Sequence, residues 1–156
     1  MFDATELIKD LQDMRDDGHL SDALMRRAVR TISHSDDRFD WVGVYMVDEE
    51  KNDVWLHNYV GSPTEHARIP VGEGVCGTAV AEKTNQNVPN VSEFPKYIEC
   101  QPGTKSELVV LIRAGDDIFG QLDIDSDEEA AFSNEDVDAI QIVADKLAEQ
   151  IAAERR

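Results

Sequence analysis

The chain has 156 residues, which is enough for one domain with a substantial hydrophobic core. Its 33 acidic residues outnumber its 15 basic residues and give a formal net charge of −18. This charge argues against nucleic acid and against an anionic membrane as partners, because both are bound through basic patches. The sequence also lacks an apolar stretch of membrane-spanning length, and its N-terminus is acidic. We therefore expect a cytoplasmic protein.

The acidic residues are dispersed along the chain, and apolar periodicity continues between them. This pattern predicts an ordered domain with an acidic surface rather than a disordered acidic tail. Such a surface repels itself at low salt and is tolerated where salt screens it. The composition is therefore typical of a halophilic host.

The first half of the chain predicts two helices followed by strands. Apolar residues at helical spacing indicate one helix from Thr5 to Asp16 and a second from about Ser21 to Ile32, with Ser21 as its N-cap. Two β-rich segments, 41–47 and 53–60, are joined by a polar turn and should pair. A short strand is expected at 68–71.

The second half predicts a short helix at 75–82 and a brief extended segment at 87–89, which its proline keeps at the sheet edge. The segment 108–112 is apolar on both faces and should be an interior strand, with 118–126 following it after a tight turn. The last helix begins with a capping box, Ser133 and Asp136, and buries a stripe of apolar residues: Ile140, Val143, Ala144, Leu147 and Ile151.

These elements predict a single α+β domain over residues 1–156. Two helices occupy residues 1–35, the sheet and its loops occupy 38–126, and the C-terminal helix occupies 133–155.

The chain has two cysteines, and both lie at loop-like positions. Cys76 follows the glycine turn 72–74, and Cys100 lies in a proline-containing segment. A buried structural cysteine usually sits in an apolar run, so we expect both thiols to be accessible and reactive. A short helix starting at the glycines would favour the Cys76 thiolate. The alternative is a glycine-rich turn that holds a small residue.

Two other binding motifs are not supported. The glycines match G-x-G-x-x-G, but a dinucleotide site requires a longer preceding strand and a parallel return, which Pro89 opposes. The four histidines have no metal-ligand spacing, and the cysteines are too far apart for a zinc knuckle. We therefore expect neither a metal nor a cofactor.

Three acids form a candidate binding site. Asp123 and Asp125 alternate with apolar residues and share one face of their strand, and Glu107 opens the neighbouring strand. If the three carboxylates converge, at least one keeps a proton near neutral pH, while ionised neighbours bind a ligand ammonium. The alternative is an acidic solvent-exposed face.

Two aromatic residues complete the candidate site. Trp41, Gly43 and Tyr45 share one face of the first strand, where Trp41 and Tyr45 can wall a pocket for a thioether-like group. The alternative is that these aromatic side chains only fill the core.

The segment 68–79 resembles the free methionine-(R)-sulfoxide reductases, which are single GAF domains. The resemblance continues through 94–95, 98–100, 106–107 and 120–126, and the first strand at 41–45 is also similar. It covers residues 38–150 with the order of the motifs kept.

The resemblance implies an antiparallel sheet with the terminal helices on one face and a loop-covered ligand pocket on the other. It implies that Cys100 is the catalytic cysteine and Cys76 the other thiol of the pocket loops. Trp41 matches an aromatic pocket residue, and the acids that bind substrate and assist the chemistry match Glu107, Asp123 and Asp125.

The implied reaction reduces the R epimer of free methionine sulfoxide to methionine, and a thioredoxin-like reductant regenerates the enzyme. Many members of the family have a further cysteine where this chain has His66. Cys100 would therefore be resolved by Cys76 or by an external thiol. Two alternatives are a non-enzymatic GAF sensor that binds a small ligand and a module that forms a homodimer through its helices. The two cysteines and three acids favour the enzyme.

Overall fold

The computed structural model describes residues 2–99 and 102–155, and its central element is an antiparallel sheet of six strands. In chain order, the strands are β1 (Trp41–Asp48), β2 (Asp53–Val60), β3 (Arg68–Pro70), β4 (Gln86–Val88), β5 (Ser106–Ala114) and β6 (Asp117–Ser126). Their spatial order is β3-β2-β1-β6-β5-β4. The predicted α+β class is confirmed.

The two faces of the sheet are covered differently. Helices α1 (Thr5–Asp16) and α2 (Ser21–Ser35) pack on one face together with the C-terminal helix, Asn134–Glu154. The other face is covered by α3 (Gly74–Glu82), by a 3₁₀ turn at Val91–Glu93 and by irregular segments. The terminal helices therefore lie on one face, as predicted.

Most predicted boundaries are confirmed. Helix α1 and strand β2 span the predicted residues, β5 is an interior strand, and β4 lies at the sheet edge. The N-cap prediction was wrong, because Leu20 precedes the first turn of α2. The amide and hydroxyl groups of Ser21 instead donate hydrogen bonds to the Glu154 carboxylate, at 2.7 and 2.8 Å.

The C-terminal helix, α4 (Asn134–Glu154), begins with the predicted capping box, in which the side chains of Ser133 and Asp136 bond reciprocally to the backbone. Asp136 is fully buried and forms an ion pair with Arg38, which anchors the start of the helix to the segment before β1. Although α4 has 21 residues, neither it nor any other helix in the described ranges is long and apolar enough to cross a membrane.

The acidic surface predicts that salt stabilises the fold. Screening shortens the range of charge repulsion from about 10 Å at 0.1 M salt to about 3 Å at 1 M. We expect the melting temperature to rise by roughly 5–10 °C over this range, which corresponds to about 2–3 kcal/mol for a domain of this size. Thermal melts in a potassium chloride series would measure it. A flat melting temperature would contradict both the predicted repulsion and the halophilic host.

Candidate active site

The thiol of Cys76 lies against two carboxylates in the interior of the protein. Its Sγ atom donates a hydrogen bond to Asp123 Oδ2 at 3.3 Å and lies 3.9 Å from Glu107 Oε2. The Cys76 residue is 2% exposed. Cys76 is in the first turn of α3, so the predicted short helix at the glycines is confirmed.

Glycine at position 77 explains why this thiol is buried. A Cβ atom on Gly77 would lie 2.3 Å from the carbonyl oxygen of Pro70, so only glycine lets α3 approach β3 this closely. The amide of Gly72 also donates to the Gly77 carbonyl at 2.8 Å. The expectation that Cys76 is accessible was therefore wrong, because the helix presses this residue onto the sheet.

Three acids converge on the same face of the sheet as the thiol. Asp123 and Asp125 are two residues apart in β6, so their side chains are on the same face of the sheet. Glu107 in β5 pairs directly with Asp125. Their exposed fractions are 0%, 1% and 4% for Asp123, Asp125 and Glu107. The predicted convergence is confirmed, and the alternative of a solvent-exposed acidic face is excluded for these residues.

Burial raises the pKa values of the two aspartates. For Asp123 the loss of hydration dominates, and hydrogen bonds with Glu107 and Cys76 partly oppose the rise in its pKa. For Asp125 burial is again the main cause, and the neighbouring charge of Asp123 raises its pKa further, well above the ordinary value. The pair therefore retains a proton at pH values where exposed aspartates have lost theirs.

The polar atoms of this cluster are incompletely satisfied within the protein. The Asp125 carboxylate has the Glu107 carboxyl group as a side-chain hydrogen-bonding neighbour, and Asp123 Oδ1 has no close hydrogen-bond donor among the described residues. Buried polar atoms without partners are uncommon and are expected where a ligand binds. Ligand atoms of Cys76, Glu107 and Asp123 all lie within 4.8 Å of one another, so the cluster can surround a cationic group.

The side chains of Trp41 and Tyr45, called here the aromatic wall, lie beside the acids on the same face of the sheet. Trp41 and Tyr45 are fully buried and face the same side of β1, as predicted. The Trp41 indole packs over Gly43, where an added Cβ would lie 2.5 Å from the ring, and it stacks on Tyr59 with ring centroids 5.4 Å apart. Close packing of the indole therefore requires glycine at position 43.

Both aromatic side chains also bind the loop between β2 and β3. Trp41 Nε1 donates to the carbonyl of Ser62 at 3.1 Å, and the Tyr45 hydroxyl donates to the carbonyl of His66 at 3.0 Å. The loop that contains His66 is thereby held over the aromatic wall.

Two residues next to the site were missed by the sequence analysis as site residues. Gln121 Nε2 donates to the Cys76 carbonyl at 3.2 Å, and its alternation with Asp123 could have revealed it. The hydroxyl of Tyr97 is buried beside the acid cluster, with the Thr104 side chain as a hydrogen-bonding neighbour. Burial and the charge of Glu107, followed by those of the two aspartates, raise the Tyr97 pKa, so this phenol remains a neutral donor. Tyr97 lies in an irregular segment where no periodicity indicates its direction.

The segment before Cys100 covers the site. The carbonyl of Lys96 accepts a hydrogen bond from the Gly74 amide at 3.2 Å, and the Ile98 side chain packs over the same glycine. A surface cleft of about 370 Å³ lies between residues 63–66 and Glu99 and Pro102. Cys100 itself lies outside the described residues. A larger cleft of about 560 Å³ borders α1 and α4, the helices of the opposite sheet face.

Comparisons with known proteins give the family of this chain. The GAF domain family matches residues 20–151. The chain is 34% identical to protein YtsP of Bacillus subtilis over 94% of its own length and 89% of that protein. It is also 34% identical to the free methionine-R-sulfoxide reductase of Escherichia coli, over 72% of this chain and 67% of that one.

A solved structure extends the similarity to three dimensions. The type II free methionine-R-sulfoxide reductase of Thermoplasma acidophilum superposes with a TM-score of 0.79 at 34% identity, covering 85% of this chain and 93% of that one. The chain therefore belongs to the free methionine-R-sulfoxide reductases, a family of oxidoreductases built on the GAF domain.

Proposed function

We propose that this protein reduces the R epimer of free methionine sulfoxide to methionine in the cytoplasm. The observation that carries the proposal is the contact of the buried Cys76 thiol with Asp123 and Glu107, next to the buried Asp125 carboxylate. The Escherichia coli and Thermoplasma acidophilum relatives are free methionine-R-sulfoxide reductases, which supports this reaction for the present chain. A pure binding module requires neither a thiol nor a retained proton at this position.

The substrate is a zwitterion, and each end suits a different part of the site. Its ammonium group would pair with an ionised carboxylate of the acid cluster, where the low dielectric strengthens the attraction. Its methyl and thioether end would contact Trp41 and Tyr45. Because all these side chains are buried, the covering segments around 62–66 and 94–99 must separate for the substrate to bind.

The first chemical step begins with Cys100. Its thiolate attacks the sulfoxide sulfur and forms a transient sulfur–sulfur bond. The oxygen is then transferred to the cysteine sulfur as that bond and the sulfur–oxygen bond of the substrate break. A proton from the Asp123–Asp125 pair moves to this oxygen, because the raised pKa values favour the protonated form of the pair. The products are a sulfenic acid on Cys100 and methionine.

Recycling would then involve the second thiol. Cys76 condenses with the sulfenic acid to form a disulfide and water, and a thioredoxin-like dithiol reduces that disulfide while becoming oxidised itself. The Cα atoms of the two cysteines must approach to about 4.4–6.8 Å for this bond to form. Because His66 stands where many relatives have a further cysteine, the competing route is an external thiol that attacks Cys100 directly.

Turnover of separated epimers tests the proposal. With a dithiol reductant, we expect methionine to form from the free R epimer and not from the free S epimer or from N-acetylmethionine sulfoxide. N-acetylation removes the ammonium, so this third substrate tests the assigned role of the acids. Binding of the R epimer without turnover would instead support the sensor, and neither binding nor turnover would overturn the proposal.

A further inference from the structure

A buried glutamine connects strand β6 to the start of helix α3. Gln121 is 0% exposed, and its Nε2 atom donates a hydrogen bond to the Cys76 carbonyl at 3.2 Å. Its direct neighbours in the sheet are Tyr45 of β1 and Leu111 of β5, whose side chains are also buried. The amide group of Gln121 therefore lies away from water, between the sheet and α3.

The orientation of this amide follows from its contact with α3. Only the NH₂ end of the group can donate to a carbonyl, so Nε2 faces Cys76 and Oε1 points elsewhere. Oε1 is buried and has no close hydrogen-bond donor among the described residues. A leucine or methionine side chain would fill this position without burying an unsatisfied acceptor. The bond from Gln121 to the helix is therefore the interaction that an apolar side chain could not supply.

The start of α3 carries one thiol and contacts the segment that leads to the other. The Cys76 Sγ atom lies 3.3 Å from Asp123 Oδ2. The Ile98 side chain packs over Gly74, and Cys100 follows Ile98 by two positions in the sequence. A displacement of the first turn of α3 would therefore move the Cys76 thiol relative to both the acids and the covering segment.

We propose that Gln121 is a positioning residue whose bond to the Cys76 carbonyl fixes the first turn of α3 and holds the Cys76 thiol where it can resolve the oxidised Cys100. The recycling role rests on the proposed function, whereas the positioning of the thiol does not. Gln121 thereby assists the second step, in which Cys76 condenses with the sulfenic acid, water is released and the disulfide forms. The attack of Cys100 on the substrate does not depend on it.

The other end of the same helix offers a matched control. Arg113 Nη1 of β5 donates to the carbonyl of Lys83, the C-cap of α3, at 2.8 Å, so this side chain also bonds the sheet to the α3 backbone. Gln121→Met and Arg113→Met each remove one such donor and introduce the same side chain. Each is combined with Cys100→Ser, so that Cys76 is the only thiol.

Alkylation of Cys76 by iodoacetamide tests the positioning. The rate is followed across the titration range of the thiol, which separates a change in access from a change in the thiol pKa. We expect Gln121→Met to raise the alkylation rate of the thiolate by about 5-fold and Arg113→Met to change it by less than about 2-fold, because the loss of one hydrogen bond shifts a local opening equilibrium by this order.

Rapid-quench measurements test the recycling role in Gln121→Met with Cys100 intact. Methionine formed in the first turnover should match wild type, while formation of the protein disulfide should slow by about 5-fold. Thermal melts verify that each variant is folded. Gln121→Glu, whose ionised side chain has no donor, replaces Gln121→Met if the latter does not fold.

Unchanged alkylation of Cys76 in a folded Gln121 variant would overturn the proposal, and so would an equal increase in Arg113→Met. A slower first turnover with unchanged disulfide formation would overturn the recycling role. If alkylation rises as expected but the wild-type protein forms no methionine, the positioning of Cys76 stands and the proposed function fails.

Discussion

Replacing Cys100 with serine should reduce methionine formation by at least about 1,000-fold, because a hydroxyl is a far weaker nucleophile than a thiolate at neutral pH. Cys76→Ser should behave differently. It retains the attacking sulfur, so one equivalent of methionine should still form in a single turnover. Its steady-state rate with a thioredoxin-like reductant should then fall, since the protein disulfide that this reductant attacks can no longer form.

Rapid-quench measurements of methionine separate the two roles. A small-molecule dithiol should restore the steady state of Cys76→Ser and should not restore Cys100→Ser. The assignment of roles fails if Cys76→Ser loses the first turnover while Cys100→Ser keeps it. If Cys76→Ser recycles normally with the thioredoxin-like reductant, an external thiol acts directly on Cys100. This is the competing route that follows from having His66 in place of a further cysteine.

Asp125→Asn should change stability and activity in opposite directions. In wild type, folding raises the pKa of Asp125, so the unfolded chain releases this proton at lower pH than the native protein. Wild-type stability therefore falls as the pH rises above the ordinary aspartate pKa of about 3.9. Asparagine removes this cost, and we expect the variant to melt about 3 °C higher than wild type at pH 7, with the difference vanishing near pH 4.

The same substitution removes one of the two carboxyl groups of the Asp123–Asp125 pair, which is the proposed proton donor. We expect turnover to fall by about 100-fold, which is a typical contribution of general acid catalysis. Melts from pH 4 to about 8 and steady-state rates test both effects, with Asp116→Asn as the exposed control. If the variant is less stable than wild type at pH 7, the negative charge of Asp125 must be stabilised by other groups in the folded protein, and that result would contradict its raised pKa.

The fold and the acid cluster were predictable because both follow from local periodicity. Alternation in β6 separates Leu122 from Asp123, and helical spacing defines the stripe of α4. The burial of Cys76 was not predictable in this way, since it depends on how closely Gly77 of α3 approaches the backbone of β3. The position of Tyr97 also depends on the path of an irregular segment, and such a path is set by tertiary contacts rather than by residue spacing.

The stacking of Trp41 has a consequence for how this protein can be studied. The chain has two tryptophans, and they lie on opposite faces of the sheet: Trp41 beside the acids and Trp55 against the helices. Indole fluorescence responds to nearby charges and to contact with water, so Trp41 is a built-in optical probe of its own pocket. In a Trp55→Phe background, the remaining emission would report when the covering loops separate and when a ligand binds, without any attached dye.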